Sequence, residues 1–200
     1  MGSEMCIRDS PISTEDFIST FSFVNNAFRD FTDVSLRDFF SKPRMKNYIQ
    51  NSFSGLLGKR HKIPFGEEMK FYFDKETAGS SYRSGIFLTA GGKSAPVVSA
   101  NDGIIIFADD LGIYGQTVIV DHGFGIASMY SQLSKIDHRE GYEVEKGERI
   151  GYMGSSGISS EVGALFEVRV HGIVVNPFKW LDGSWVRENL LEFYKGLLRE

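Results

Sequence analysis

Between Asp102 and Tyr130 the chain reads DGIIIFADDLGIYGQTVIVDHGFGIASMY, three runs rich in β-branched and aromatic residues with little between them. Ile104 to Ala108, Gln116 to His122 and Ile126 to Tyr130 have the composition of strands, and Asn101-Asp102-Gly103 and Gly123-Phe124-Gly125 have that of turns. The stretch therefore predicts an antiparallel meander. In its middle run Val118, Val120 and His122 alternate with Thr117, Ile119 and Asp121, which predicts one face in a core and the other left as a platform.

Composition narrows what such a meander can belong to. With 200 residues, 42% hydrophobic and 24% charged, the chain can bury a sizeable core as one domain with accessory elements or as two small ones. A net charge of -4 without a basic run argues against nucleic acid and against an anionic membrane surface. The one cysteine, Cys6, provides neither a disulfide nor a thiolate cluster, so a metal would need histidine and carboxylate ligands. No apolar run is long enough to span a membrane, and no signal-peptide centre is present. Residues 1–10, MGSEMCIRDS, show no periodicity and read as non-native lead-in, with the true N-terminus expected to lie further upstream.

Residues 11–62 read as a helical segment followed by linker. Phe17, Phe21, Val24 and Phe28 fall at helical spacing behind a Ser13 or Thr14 cap, predicting an amphipathic helix. It either packs on its own domain or ends a longer stalk. Ser35 starts a second short helix through LRDFF, Pro43 stops it, and MKNYIQNSFSGLLGKRHK reads as linker outside the core. In the β-rich region 63–181, Ile63 to Gly66 reads as a turn, Lys70 to Phe73 as a strand and Thr77 to Ser81 as a loop. Arg149 to Met153, Ala164 to Val170 and Ile173 to Val175 read as strands, with a His171-Gly172 turn and Asn176-Pro177 closing the sheet. Residues 182–200 predict a helix capped by Ser184, with Val186, Leu190, Phe193, Tyr194 and Leu197 as its apolar stripe. The fold class expected is mainly β with flanking helices, an antiparallel sandwich.

Five blocks, APVVSANDGIIIFA, GIYGQTVIVDHGFG, SMYSQLSKI, VEKGERIGYMGSSG and LFEVRVHGIVVNP, resemble in order and spacing the lysostaphin-type (LytM-like) peptidase domain over residues 82–180. A lipoyl-type fold would account for EKGERIGYMG alone, but for neither DHGFG nor VNP. The resemblance implies a groove in an antiparallel β domain of the bacterial cell envelope or periplasm. In active members this groove binds one Zn²⁺ and cleaves peptidoglycan peptides.

At the metal positions the resemblance places Arg83, Phe87 and Leu165, and at the catalytic histidine positions Gln132 and Gly163. Arginine has no lone pair at accessible pH, phenylalanine and leucine have no donor atom, and a glutamine amide cannot shuttle a proton. None of His61, His122, His138 and His171 has ligand-like spacing, and His122 is expected to make a structural hydrogen bond in the DHGFG turn. The expected reading is thus a catalytically degenerate LytM-like domain with no cofactor, binding a peptidoglycan stem peptide or an envelope protein with Arg83 and Gln132 as groove contacts. Phe87 and Leu165 are expected to bury each other. Two alternatives stand beside this: an active zinc metalloendopeptidase using other ligands, and a structural envelope-assembly module. In a purely local role, Arg83 would pair with Glu161 or Glu167.

Overall fold

The computed structural model describes residues 32, 34, 36, 37, 39, 40, 44–54, 59–60, 64–73, 76–91, 93–157, 159 and 161–192. The predicted helix at Phe17 to Phe28, His61, and Phe193, Tyr194 and Leu197 of the terminal stripe lie outside them. Thirteen strands occur among these residues: β1 (Lys59–Arg60), β2 (Glu68–Phe73), β3 (Glu76–Tyr82), β4 (Ile86–Thr89), β5 (Pro96–Val98), β6 (Gly103–Asp110), β7 (Gln116–Asp121), β8 (Ile126–Ser131), β9 (Leu133–Ile136), β10 (Glu143–Val144), β11 (Arg149–Met153), β12 (Gly163–Val170) and β13 (Ile173–Val175). The main sheet has the order β1-β4-β12-β8-β7-β6-β10, with β13 also on β12; β5-β11-β9 form a second sheet and β2-β3 a separate ribbon. The meander is β6-β7-β8, all antiparallel.

Alternation along these strands sorts the side chains into two layers. Ala164, Phe166 and Val168 of β12, Ile86 and Leu88 of β4, Val118 and Val120 of β7 and Tyr130 of β8 enter the larger core, which the second sheet closes with Val97, Leu133, Ile150 and Met153. The opposite face is not the bare platform expected from its polar members. Thr117, Ile119 and Asp121 are buried too, and Ile119, Ala127 and Met129 form a second cluster with Leu36 and Phe40. The covering residues belong to a helical stretch that is already helical at Thr32 and Val34, before the predicted start at Ser35. Phe39 adds a ring contact to Phe107 at 5.0 Å.

The stretch expected to be linker also carries core. Ile49 and Phe53 are each 1% exposed and belong to the larger cluster. They are four residues apart in a polar segment that crosses the domain as a strap, held by backbone bonds: Tyr48 N to His122 O, Phe53 N to Trp180 O and Ser54 N to Ala100 O. The Phe53 ring meets His122 at 4.9 Å and Trp180 at 5.4 Å, both edge-on. Asp121 ties the strap down from the other side. Its Oδ1 accepts from Gly123 N at 2.8 Å and its Oδ2 lies 3.4 Å from Arg44 Nε. Gly123 has φ 89° and its missing Cβ would overlap Lys46 O, so the DHGFG turn requires glycine on two counts.

Two further expectations are corrected. Thr77 to Ser81 is not a loop but the body of β3, since its partner β2 imposes the extended state on small residues with weak propensity of their own. A separate short helix precedes the predicted C-terminal one, whose cap falls two residues before Ser184. Asn176 Oδ1 caps α1 (Pro177–Trp180), and Asp182 rather than Ser184 caps α2 (Gly183–Val186) by accepting from Ser184 N and Trp185 N. A π-helical turn, Arg187–Leu191, follows, and Val186 and Leu190 are buried as expected.

His122 makes the structural bonds expected of it. Its Nδ1 lies 2.6 Å from Asp102 O, its Nε2 2.8 Å from Ser128 Oγ, Ser128 Oγ 3.0 Å from Tyr130 OH, and Ala100 N donates to Tyr130 OH at 2.6 Å. A carbonyl only accepts, so Nδ1 carries the hydrogen and Nε2 is the acceptor of the neutral ring. Every group in this buried chain has a partner. Burial pushes the His122 pKa down to about 4 and that of Tyr130 up to about 12. In the unfolded chain the imidazole takes a proton near pH 6.5, while the folded one refuses it until about pH 4. Stability is therefore lost as pH falls through this window, by up to roughly 3 kcal/mol from this one group. Urea melts at pH 7.5 and pH 4.5 should show that loss, and His122→Gln should flatten the pH dependence while lowering stability at pH 7.5.

Candidate functional site

The register of three strands builds the site. Leu165 of β12 is the direct partner of Phe87 in β4 and of Ser131 in β8, so the three side chains form one row across the sheet on the face opposite the main core. Phe87 and Leu165 are each 8% exposed. Gly163 begins β12 one step along the same face, opposite Thr89, and a Cβ there would collide with the Phe87 ring and with Leu88 O. Phe87, Leu165 and Gly163 are thus brought together, with the phenyl ring lying where a side chain at position 163 would have to go.

Gln132 follows Ser131 at the end of β8 in the left-handed region, φ 66°, with its N–H donated to Tyr114 O at 2.9 Å. Its Oε1 and the Oγ of fully buried Ser131 are both shielded from solvent and without a hydrogen-bond partner. Arg83 stands between the β2-β3 ribbon and β4, with its backbone bonded to Glu67 O and Gly66 N, and its Nε is likewise buried and unpartnered. Burial lowers the guanidinium's pKa, and the Glu67 carboxylate opposes that shift. A buried polar atom left without a partner costs about 1–3 kcal/mol. The three atoms, an acceptor at Gln132, a hydroxyl at Ser131 and a donor at Arg83, are all shielded from solvent.

The local role considered for Arg83 is not what Glu167 serves. Glu167 Oε2 accepts from Arg169 Nη2 at 2.6 Å and Nε at 3.0 Å, both residues lying deep beneath the second cluster. This ion pair and Ser131 were not singled out from sequence. Glu167 and Arg169 alternate with Phe166 and Val168 in an apolar strand, a pattern that signals charges sharing one face. Ser131 carries no signal until Leu165 is placed opposite it. His138 and His171 stay apart from the row: His138 stacks on Tyr142 at 4.0 Å, and His171 sits on the β12-β13 turn with φ 49°.

Residues 81–177 match the family described as Peptidase family M23. "Lipoprotein NlpD" of Yersinia enterocolitica is 37% identical over 93 residues, which is 46% of this chain and 95% of that sequence. The chain belongs to peptidase family M23. "DD-carboxypeptidase/endopeptidase Mpg" of Neisseria meningitidis is 38% identical over 88 residues, covering 44% of this chain and 20% of that protein. "Murein hydrolase activator EnvC" of Escherichia coli is 40% identical over 80 residues, covering 40% and 19%. The chain spans only about a fifth of the length of these last two relatives. In fold it is similar to a putative peptidase M23 from Pseudomonas aeruginosa, with TM-score 0.62 and 24% identity over 76% of this chain and 59% of that one. The LytM-like, mainly antiparallel β architecture expected from the sequence is the one present.

The resemblance implies zinc in active members, and the residues it places at the metal positions do not fit that ion. Phe87 and Leu165 bring only carbon to the row, Arg83 brings only donors, and the phenyl ring fills the space beside Gly163. No group of three or more His, Cys, Asp or Glu side chains suited to a metal occurs among the described residues. The tightness of the row is testable by itself. Gly163→Ala should destabilise the protein by about 1–3 kcal/mol in urea melts, the usual cost of overpacking, and Phe87→Leu in that background should recover only part of it, because Leu88 O stays in place.

Proposed function

We propose that this chain is a non-catalytic M23 domain of a bacterial cell-envelope protein, which binds a peptide in its groove and serves a peptidoglycan-related regulatory role. The observation that carries this reading is the in-register row of Phe87, Leu165 and Ser131, closed at Gly163 by the phenyl ring. It supports binding over cleavage because such a row can neither polarise a carbonyl through a metal nor activate water. The name of EnvC, a murein hydrolase activator, supports a regulatory role, and the lipoprotein NlpD supports the envelope.

Arg83 and Gln132 are the polar contacts of this groove. A guanidinium suits a carboxylate, of which stem peptides carry several, and an amide both gives and accepts hydrogen bonds to a peptide backbone. A second reading, that of a zinc endopeptidase using other ligands, is favoured by the similarity to Mpg. A third is an assembly module that engages envelope proteins through its N-terminal helical segment.

Titration with peptidoglycan stem peptides tests the groove. Arg83→Ala should weaken binding about tenfold or more, in line with the loss of a charge-assisted hydrogen bond. Equal affinity in both proteins, or binding in neither, would favour the assembly module.

A further inference from the structure

The β2-β3 ribbon stands outside both sheets, and among the described residues no other strand pairs with either of its edges. Two-stranded ribbons are marginal by themselves and present backbone donors and acceptors that invite a further strand. We infer that the outer edge of β2 pairs antiparallel with β2 of a second copy of this chain, giving a two-fold dimer through a four-stranded β3-β2-β2-β3 sheet.

The ladder fixes which groups are offered. Glu67 O accepts from Arg83 N at 2.9 Å, and the register runs on through Glu68↔Tyr82, Met69↔Ser81 and Lys70↔Ser80. The carbonyl of Glu67 and the backbone groups of residues 69 and 71 therefore face β3, while Glu67 N bonds Pro64 O, and Glu68 and Lys70 turn their backbone groups outward. The regular part of the strand ends at a bulge between Phe71 and Tyr72. The regular stretch is thus centred on position 69. A two-fold axis at that position sets Glu68 opposite Lys70 of the second copy, and Lys70 opposite its Glu68. Both are outward-facing positions, so each pair exchanges its N–H···O bonds in full.

The charges agree with the register. Glu68 and Lys70 are exposed and lie on one face of β2, so both cross-strand contacts join opposite charges. β3, reading ETAGSSY, carries one charge and offers no such pairing at its own edge. The interface is isologous, with the same patch used on both copies, and it closes at two without propagating.

Sedimentation of the whole chain over a range of concentrations should show a monomer–dimer equilibrium. Glu68→Lys sets lysine against lysine at both contacts and Lys70→Glu sets glutamate against glutamate, so each variant should dimerise about tenfold more weakly or worse. The double variant E68K/K70E restores opposite charges and should recover the dimer. Mixing the two single variants should give a heterodimer, because every contact is then complementary. These residues are exposed, so the variants should melt with the parent. A parent that is monomeric throughout, a dimer indifferent to both single variants, or a double variant no better than the singles would overturn the inference.

Discussion

Strand β12 is bonded along both edges, to β4 and to β8, and its alternation decides where the rest of the domain lies. Ala164, Phe166 and Val168 go to the larger core, while Gly163, Leu165, Glu167 and Arg169 go to the other face. A slip of one residue would drive Glu167 and Arg169 into that core and turn Phe166 out of it. Both charges are held away from water, and removing either would leave the other uncompensated at a cost of several kcal/mol. The ion pair and the apolar residues beside it therefore specify one register, and that register aligns Leu165 with Phe87 and Ser131.

Much of this could be read from the sequence where the determinants are local. Period-two alternation exposed β6 to β8 and β12, and glycine with aspartate exposed the turns at 101–103 and 123–125. What escaped depends on residues far apart in the chain. Whether the Thr117-Ile119-Asp121 face is bare depends on Leu36 and Phe40, some eighty residues upstream. Ile49 and Phe53 sit in NYIQNSFS, which has too few apolar positions for any period, and only the backbone bonds to His122, Ala100 and Trp180 turn that segment into a strap. Thr77 to Ser81 lacks strand propensity and is extended because β2 lies beside it.

The site shows the same division. Its apolar members are placed by the family resemblance, only Leu165 falling inside one of the five blocks, and the structure brings Phe87, Gly163 and Leu165 together. The unpartnered oxygens of Ser131 and Gln132 are a three-dimensional fact: one belongs to an unremarkable strand residue, the other to a left-handed position. What the row lacks in ligands it has in packing, and this is the physical basis for proposing recognition and not cleavage.

Zinc content after mild loading is the most direct check on that assignment. Purified protein incubated with excess Zn²⁺ and desalted should retain no stoichiometric metal by elemental analysis and should release no products from peptidoglycan. About one zinc per chain, lost to chelator together with peptidoglycan cleavage, would contradict the non-catalytic reading and establish a ligand set outside the row of Phe87, Leu165 and Ser131.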